Sequence, residues 1–239
     1  MAKIEYRAEK KYLVSDMDLA VIKSRLQGVM NQDIHQSDEY YEVRSIYLDD
    51  YRNSAMLDND AGTDNRAKYR IRTYYPGLKE LRLEIKEKEN GFNRKTSCKL
   101  SQEEFNKIIN GESDIAFSER KPLNRLLFNM KCLKMEPKVI ISYERTAFVH
   151  PSGNVRITFD RNITASKFIN SFFDEKVAAR VPVLPKGMHV LEVKYDEMLP
   201  DFIAKQLEIG KLNQTAFSKY YLGRIALGED HVRKTSFIK

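Results

Sequence analysis

Three segments of the sequence alternate between charged and apolar residues. They are KYRIRTY at 68–74, ELRLEIKEK at 80–88 and HVLEVKYD at 189–196. Because successive side chains of a β-strand point to opposite faces, each segment places its charges on one face and its apolar groups on the other. The pattern therefore predicts a sheet with one buried apolar face and one charged face.

The charged faces are rich in Lys and Arg. Their members are Lys68, Arg70 and Arg72, then Glu80, Arg82, Glu84, Lys86 and Lys88, then Glu192, Lys194 and Asp196. Two architectures accommodate them: a half-buried sheet whose charges face solvent, and a barrel whose charges line a lumen, with helices outside. Crowded cations in a lumen repel one another and require a polyanion. Arg forks match phosphate oxygens, Lys supplies point charge, and Glu can hold a divalent cation.

Coarse periodicity predicts an α+β chain with several antiparallel neighbours among its strands. The hairpin signals are Pro76-Gly77 and Ser152-Gly153-Asn154. Eight strands are predicted, at 3–14, 42–49, 67–75, 79–88, 92–100, 138–149, 154–162 and 188–196.

Helices are predicted between and after these strands. Ser15 begins one, and Ser101 with Glu104 forms a capping box for a second. Two further helical regions are 123–130 and 200–228, the latter a pair broken near Gly210.

Composition excludes several classes of protein. The chain has 239 residues, is 42% apolar and has a net charge of +7, so it is too hydrophobic for a disordered polybasic tail. Cys98 and Cys132 form no CxxC pair, the four histidines show no ligand spacing, and no glycine-rich phosphate-loop motif occurs. No stretch approaches the ~18 apolar residues of a spanning helix. We expect one cytoplasmic domain over 1–239, with a flexible tail from about residue 229.

Seven segments resemble, in order, the VTC domain, the catalytic domain of vacuolar transporter chaperone polyphosphate polymerases and their bacterial relatives. They are RAEKKYLVS at 7–15, KYRIRTY at 68–74, LRLEIKEK at 81–88, SYERTAF at 142–148, VRITFD at 155–160, LEVKYD at 191–196 and FSKYYLGR at 217–224. The family belongs to the triphosphate tunnel metalloenzyme, or CYTH-like, superfamily. The resemblance implies an antiparallel eight-stranded β-barrel, the triphosphate tunnel fold, with helices packed outside.

The resemblance also implies a reaction. The terminal phosphoryl group of ATP would be transferred to a growing inorganic polyphosphate chain inside a basic tunnel, with a divalent metal assisting. Manganese is the expected metal and magnesium the alternative. The expected partners are ATP and inorganic polyphosphate, together with a separate membrane protein that would bring this cytoplasmic chain to a membrane.

Site residues follow partly from the resemblance and partly from the strand faces. The resemblance implies catalytic roles for Lys11, Arg70, Arg72, Lys86 and Arg145, a metal role for Glu192 and a substrate role for Lys219. Shared faces add Glu9 and Glu84 as metal ligands and Lys194 as a substrate ligand. Arg82, Lys88 and Arg156 are further substrate ligands. They rank lower, as does Asp160, because strand ends and bulges can exchange faces. For Lys219 an ordinary amphipathic helix, burying Phe217, Tyr221 and Ile225, competes with a functional role.

One departure from the wider superfamily bears on the reaction. CYTH-type relatives usually open with ExExK, whereas the aligned positions here are Arg7, Glu9 and Lys11. The added positive charge favours a polymerase that holds a long anionic product. A tripolyphosphatase and a non-catalytic polyphosphate-binding module are the alternatives. Nucleic-acid binding is a minor one, because the basic residues alternate along strands rather than cluster on a helix.

Overall fold

The computed structural model describes residues 8–34, 36, 38–75, 80–89, 92–210 and 212–229. Parts of several predictions lie outside these ranges. They are the start of the first strand with Arg7, the Pro76-Gly77 turn and the tail beyond residue 229.

All eight predicted strands are present in the structure, together with two short strands that were not predicted, β2 and β9. The strands are β1 (Ala8–Ser15), β2 (Asn31–Gln32), β3 (Tyr41–Asp49), β4 (Arg66–Tyr75), β5 (Leu81–Glu89), β6 (Phe92–Leu100), β7 (Glu136–His150), β8 (Val155–Ser166), β9 (Val181–Pro182) and β10 (Met188–Tyr195).

The helices are α1 (Asp16–Gln27), α2 (Ser54–Asp60), α3 (Gln102–Ile109), α4 (Lys121–Leu133), α5 (Asp201–Ala204) and α6 (Lys219–Ala226). Capping boxes begin α1 and α3, where Ser15 and Ser101 each accept a hydrogen bond from a backbone N–H three residues on. The predicted C-terminal pair consists of the short α5, extended by a 3-10 turn at Lys205–Leu207, and α6. The short helix α2 was not predicted.

Hydrogen bonds join the strands in the order β1-β10-β8-β7-β3-β4-β5-β6, with β2 paired to β7 and β9 to β8. The pairings β1·β10, β10·β8, β4·β5 and β5·β6 are all antiparallel. The predicted α+β class and antiparallel eight-stranded order are confirmed.

The chain divides into two compact units. Unit 1 comprises the described parts of 1–42, 143–163 and 184–217, and unit 2 those of 43–142, 164–183 and 218–239. The expectation of a single domain over 1–239 stays a prediction.

Each unit has its own hydrophobic core on one face of its strands. In unit 1, helix α1 packs Leu19, Ile22 and Leu26 against the face of β8 and β10 that carries Phe159 and Leu191. Glu192 and Lys194 alternate with Leu191 and Val193, so they lie on the opposite face.

In unit 2, helices α3 and α4 cover the apolar face of β3, β4 and β5. This core contains Tyr69 and Ile71 of β4, and Leu83 and Ile85 of β5. The alternation therefore separates core and charged faces as expected. It leaves Arg70, Arg72 and Glu84 on the face that α3 and α4 do not cover.

Candidate functional site

Charged side chains of unit 2 form a patch on β4, β5 and β6, which we call the basic face. The register aligns them in rows across the three strands. These rows are Lys68–Lys86–Lys95, Arg70–Glu84–Ser97 and Arg72–Arg82–Lys99. Like charges directly opposite each other in an antiparallel pair are destabilising. Two of the three rows are entirely basic, so the face carries a large excess of positive charge.

Glu84 is the buried carboxylate of the basic face. Its side chain is 3% exposed and contacts three cations. Arg70 Nε donates to Oε2 at 2.7 Å, Lys95 Nζ lies 3.2 Å from Oε1, and Arg72 Nη1 lies 3.7 Å from Oε2. Burial favours the protonated acid, but these cations outweigh it and hold the pKa of Glu84 well below its usual range.

Tyr47 of β3 lies against the same arginines. Arg70 Nη1 donates to the Tyr47 hydroxyl at 3.2 Å, and Arg72 Nε donates to Ser45 Oγ at 3.3 Å. Burial raises the pKa of a phenol, yet the positive charges of Arg70, Arg72 and Lys219 outweigh burial and lower the pKa of Tyr47. Tyr47 therefore lies directly beside the arginines of the basic face.

Helix α6 lies on this charged side of unit 2 rather than on the apolar core. The Tyr220 ring stacks on Tyr47 with centroids 5.2 Å apart, and Lys68 Nζ donates to Ser218 Oγ at 2.9 Å. Tyr220 donates to Asp49 at 2.6 Å and accepts from Arg224 at 2.6 Å. These contacts hold α6 in place, and Lys219 is the first residue of this helix.

The buried residues of this segment differ in part from the amphipathic alternative, which placed Phe217, Tyr221 and Ile225 inside: Phe217, two residues before α6, is buried as expected. Tyr220, Gly223 and Arg224 are the buried residues of α6, whereas Tyr221 and Ile225 are only partly buried. Helix α6 packs on Tyr47 of β3 and Ile141 of β7, and Tyr220 finds hydrogen-bond partners in Asp49 and Arg224.

The remaining sequence-predicted residues of unit 2 occupy the rim of the basic face. Lys86 stands between two lysines in its row. Arg82 pairs with Glu80 at 2.6 Å and Lys88 with Asp64 at 3.1 Å, and both of these cations are about one-third exposed. Exposed pairs of this kind stabilise little, so their cations can exchange partners readily.

Unit 1 carries a second cluster of charged groups, centred on Arg145 of β7. Arg145 Nε and Nη2 donate to the two oxygens of Asp160 at 2.6 and 2.7 Å, and Nη2 lies 3.7 Å from Glu192 Oε2. Burial disfavours the charged guanidinium, but Asp160 chiefly, with Glu192, outweighs it and raises the pKa of Arg145. Asp160, ranked low from the sequence, is therefore the principal partner of Arg145.

Two lysines and Glu9 complete this second cluster. Lys194 Nζ lies 2.9 Å from Glu192 and 3.4 Å from Glu9, and Lys11 Nζ lies 2.9 Å from Glu9. Lys11 also donates to the Phe217 carbonyl at 3.2 Å.

Arg156 has separate partners in unit 1. It lies 2.8 Å from Asp33 and 3.2 Å from the Tyr41 hydroxyl. The structure thus gives Arg156 a carboxylate that differs from those of the other predicted residues.

Two carboxylates of unit 1 suit a divalent cation. Among the described residues, no group of three or more His, Cys, Asp or Glu side chains is arranged to hold a metal ion. However, Glu9 and Glu192 both contact the Lys194 ammonium, so they flank one cation position. Because Mg²⁺ is commonly held by one or two carboxylates plus substrate phosphates, these residues fit a cation shared with a phosphate ligand.

Sequence reasoning missed Lys95, Lys99 and Tyr47. The two lysines could have been found, because FNRKTSCKL places them at alternate positions with Ser97 between them. Tyr47 carries no such signal, since it lies within SIYLDD, a short segment without a charged alternation.

Two solved structures share the fold of this chain. A Bacillus halodurans protein described as a candidate adenylate cyclase is 12% identical, with a TM-score of 0.54, and the match covers 97% of this chain and 98% of that one. A Hippeastrum protein, described as a candidate adenylyl cyclase with a dominant triphosphatase activity, is 10% identical, with a TM-score of 0.57 and coverage of 93% and 96%. The chain has the triphosphate tunnel, CYTH-like fold.

The family follows from the sequence. Residues 6–227 match the profile of the VTC domain. The chain belongs to the VTC domain family, and the resemblance of the seven segments is confirmed. No curated protein matches it.

None of the helices within the described ranges is both long enough and apolar enough to cross a membrane.

Proposed function

We propose that this protein is an ATP-dependent polyphosphate polymerase. The observation that carries the proposal is the excess positive charge of the basic face, where Arg70, Arg72 and Lys95 share one buried carboxylate between two entirely basic rows. A face of this kind binds polyanions, and membership of the VTC domain family supports polyphosphate as that polyanion.

The reaction needs no protein nucleophile. A terminal oxygen of the polyphosphate attacks the γ-phosphorus of ATP, the bond from that phosphorus to the β–γ bridging oxygen breaks, and ADP leaves. Charge on the transferred group is spread over its equatorial oxygens, so positioning and electrostatic stabilisation dominate. Arg70, Arg72 and Arg145 bind phosphate oxygens. Lys11, Lys86, Lys194 and Lys219 neutralise the nucleotide and acceptor, with Arg82, Lys88 and Arg156 as outer contacts.

Glu192 and Glu9 are the proposed ligands of a divalent metal, with Mn²⁺ the first candidate. When bound, the ion would neutralise phosphate charge. Glu84 is less suited to this role, because its contacts are Arg70, Arg72 and Lys95. Lys194 contacts both of the unit 1 carboxylates, which keeps them close together.

A triphosphatase is the second candidate function. The structural relative from Hippeastrum is described as having a dominant triphosphatase activity, and its fold is shared by this chain. Water would then replace polyphosphate as the acceptor. The family match and the Arg7 of the opening motif support the polymerase over the hydrolase.

One assay separates the two candidates. The protein is incubated with ATP and Mn²⁺ or Mg²⁺, and long phosphate chains are resolved on a gel. In parallel, orthophosphate released from tripolyphosphate is measured. Chain synthesis supports the polymerase; orthophosphate release without chains supports the hydrolase. Tight polyphosphate binding with neither product would indicate a binding module.

Arg70 provides the mutational test of the proposed site. Arg70→Ala should lower the kcat/KM of chain synthesis by about 100-fold or more, because it removes a guanidinium that stabilises transferred charge. Arg94→Ala is the matched control. Arg94 lies on the opposite face of the sheet from Arg70, is 66% exposed and pairs with Glu87. Comparable synthesis rates in the two folded variants would contradict the proposal.

We propose in addition that the chain acts as one domain over 1–239, in the cytoplasm, and works beside a separate membrane protein. Fractionation of cells that express a tagged chain, with and without a salt wash, tests this location. If the tagged protein stays in the membrane pellet after the salt wash, and no other protein is bound to it there, the proposed cytoplasmic location is contradicted.

A further inference from the structure

The ligands of the Glu84 carboxylate are those that a phosphate group would take. Arg70 donates Nε and Nη2 to its Oε2 atom, and Lys95 approaches Oε1. Planar guanidinium forks and lysine ammonium groups are the side chains that proteins use for phosphate oxygens. The carboxylate therefore occupies an anion position that β4, β5 and β6 build together.

Charge balance explains why an anion is required there. The rows on either side of Glu84 are Lys68–Lys86–Lys95 and Arg72–Arg82–Lys99, and both place like charges opposite one another. Arg70 and Arg72 are both 8% exposed, and burying two guanidinium charges side by side is costly unless a negative charge lies close to them. Glu84 supplies one negative charge, whereas each phosphate of a chain supplies at least one.

We propose that Glu84 is an internal counter-anion, held by Arg70, Arg72 and Lys95 in the free protein and exchanged for a phosphate oxygen when a polyphosphate chain binds. The proposal rests on the phosphate-binding function proposed above and adds Lys95 to the binding residues. Glu84 then competes with the substrate. The free basic face stays folded because of Glu84, and its affinity for phosphate is lower because of the same residue.

The test uses two substitutions that remove the same charge from the same strand face. Glu84→Gln removes the buried carboxylate but keeps its shape. Glu80→Gln is the control, since Glu80 is 43% exposed and pairs with Arg82 and Lys99. The probe is tripolyphosphate in a buffer with EDTA and no metal, measured by calorimetry at constant ionic strength.

Competition by Glu84 predicts that Glu84→Gln binds tripolyphosphate roughly tenfold more tightly than the wild type, because one set of charged hydrogen bonds no longer has to be broken. Glu80→Gln should change the affinity by less than about threefold, as expected of an exposed pair. Equal changes in the two variants, or weaker binding by Glu84→Gln, would overturn the proposal.

Lys95 allows a second test that does not depend on the stability of Glu84→Gln. Lys95→Met should weaken tripolyphosphate binding about fivefold or more, because the lysine is a phosphate ligand. Arg94→Met removes the same charge from the neighbouring residue on the opposite face, and should change binding little. Equal effects of these two substitutions would overturn the assignment of Lys95. If Glu84→Gln does not fold, Glu84→Asp replaces it, because the shorter side chain reaches Arg70 and Lys95 less well. Binding of tripolyphosphate by Glu84→Asp no tighter than that of the wild type would then overturn the counter-anion proposal.

The two proposals fail in different ways. If the wild type and Glu84→Gln both bind no tripolyphosphate, the proposed phosphate-binding function is wrong. If the wild type binds and Glu84→Gln binds no more tightly, only the counter-anion proposal is wrong.

Discussion

Glu84 and Asp160 are buried carboxylates that lie on the charged faces of the sheet, and both are held by arginine. The two carboxylates differ in the cations that surround them, so removing their charges should have different effects. Glu84 is shared by three cations, one from each row of the basic face, so its ionisation affects all three rows. Asp160 makes a bidentate contact with one guanidinium, so the largest effect of removing its charge should fall on Arg145.

The lowered pKa of Glu84 predicts a pH dependence of stability. A carboxyl whose pKa is lower in the folded state than in the unfolded state stabilises the fold above its unfolded pKa, and this contribution disappears as the pH falls. The wild type should therefore lose stability as the pH falls below about 4.3, the ordinary value for Glu.

Glu84→Gln should show a shallower loss over this range in urea titrations. The control is Glu103→Gln, which alters a carboxylate that is 80% exposed. A slope for Glu84→Gln as steep as that of the wild type would contradict the assigned role of its charge.

Asp160→Asn should destabilise the fold by about 3–5 kcal/mol, because it leaves the buried Arg145 guanidinium without its principal counter-charge. The free energy of unfolding in urea measures the loss. Glu80→Gln breaks a largely exposed pair and should cost less than about 1 kcal/mol. Losses of similar size in the two variants would show that the Arg145–Asp160 contact is worth no more than a surface pair.

Single residues mark the limit of prediction from the sequence. The two-residue repeat of a strand places Arg70 and Arg72 on the same face. Which residue of β5 lies opposite each of them depends on the register of the two strands. A two-residue turn at Pro76-Gly77 would set Arg70 opposite Leu83, whereas the structure pairs it with Glu84. Because a shift of one residue exchanges the faces of a strand, local turn signals could not identify the partner of Arg70.

Among the elements, α6 differs most from expectation. Its residue Gly223 lies so close to β7 that an added Cβ would be 2.3 Å from Ile141 Cδ1. Real Cβ atoms do not approach neighbours this closely, so glycine permits the helix to approach the strand. This contact positions Lys219, together with the Tyr220 hydrogen bonds.

Gly223→Ala should destabilise the protein by about 1–3 kcal/mol through overpacking, despite the better helix propensity of Ala. Combining it with Ile141→Val removes the clashing Cδ1 and should recover much of the loss in thermal unfolding. Gly28→Ala is the control, because its new Cβ would make an ordinary 3.6 Å contact. A double variant no more stable than Gly223→Ala would contradict the packing explanation.

The sequence predicted the longer elements better than the short ones. Eight strands and the helices α1, α3 and α4 have apolar periodicity or capping residues of their own. By contrast, β2 and β9 have two residues each, and pairing with β7 and β8 defines them. The position of α6 was not predictable, because its partners Tyr47 and Asp49 lie more than 160 residues away along the chain.

For the whole molecule, the net charge of +7 understates the charge on the basic face. A polyanion that binds there should stabilise the folded protein by mass action, by about 2.7 kcal/mol at 100 times its Kd. Tripolyphosphate should therefore raise the Tm in metal-free buffer, and NaCl at equal ionic strength should raise it less.

The same measurement on the double variant Arg70→Ala/Arg72→Ala should give a much smaller rise, because the guanidinium donors are gone. An undiminished rise would mean that tripolyphosphate stabilises the protein through another surface.

The division of the chain into two units affects how it can fold during synthesis. Each unit is assembled from three separate stretches, and unit 1 needs β10, which ends at Tyr195, while unit 2 needs α6, which begins at Lys219. Neither can be completed while the second half of the chain is still inside the ribosome. Strand β1 is made first but pairs with β10, so it must wait for most of the chain, and this nascent chain should depend on chaperones more than a chain with an early, contiguous domain.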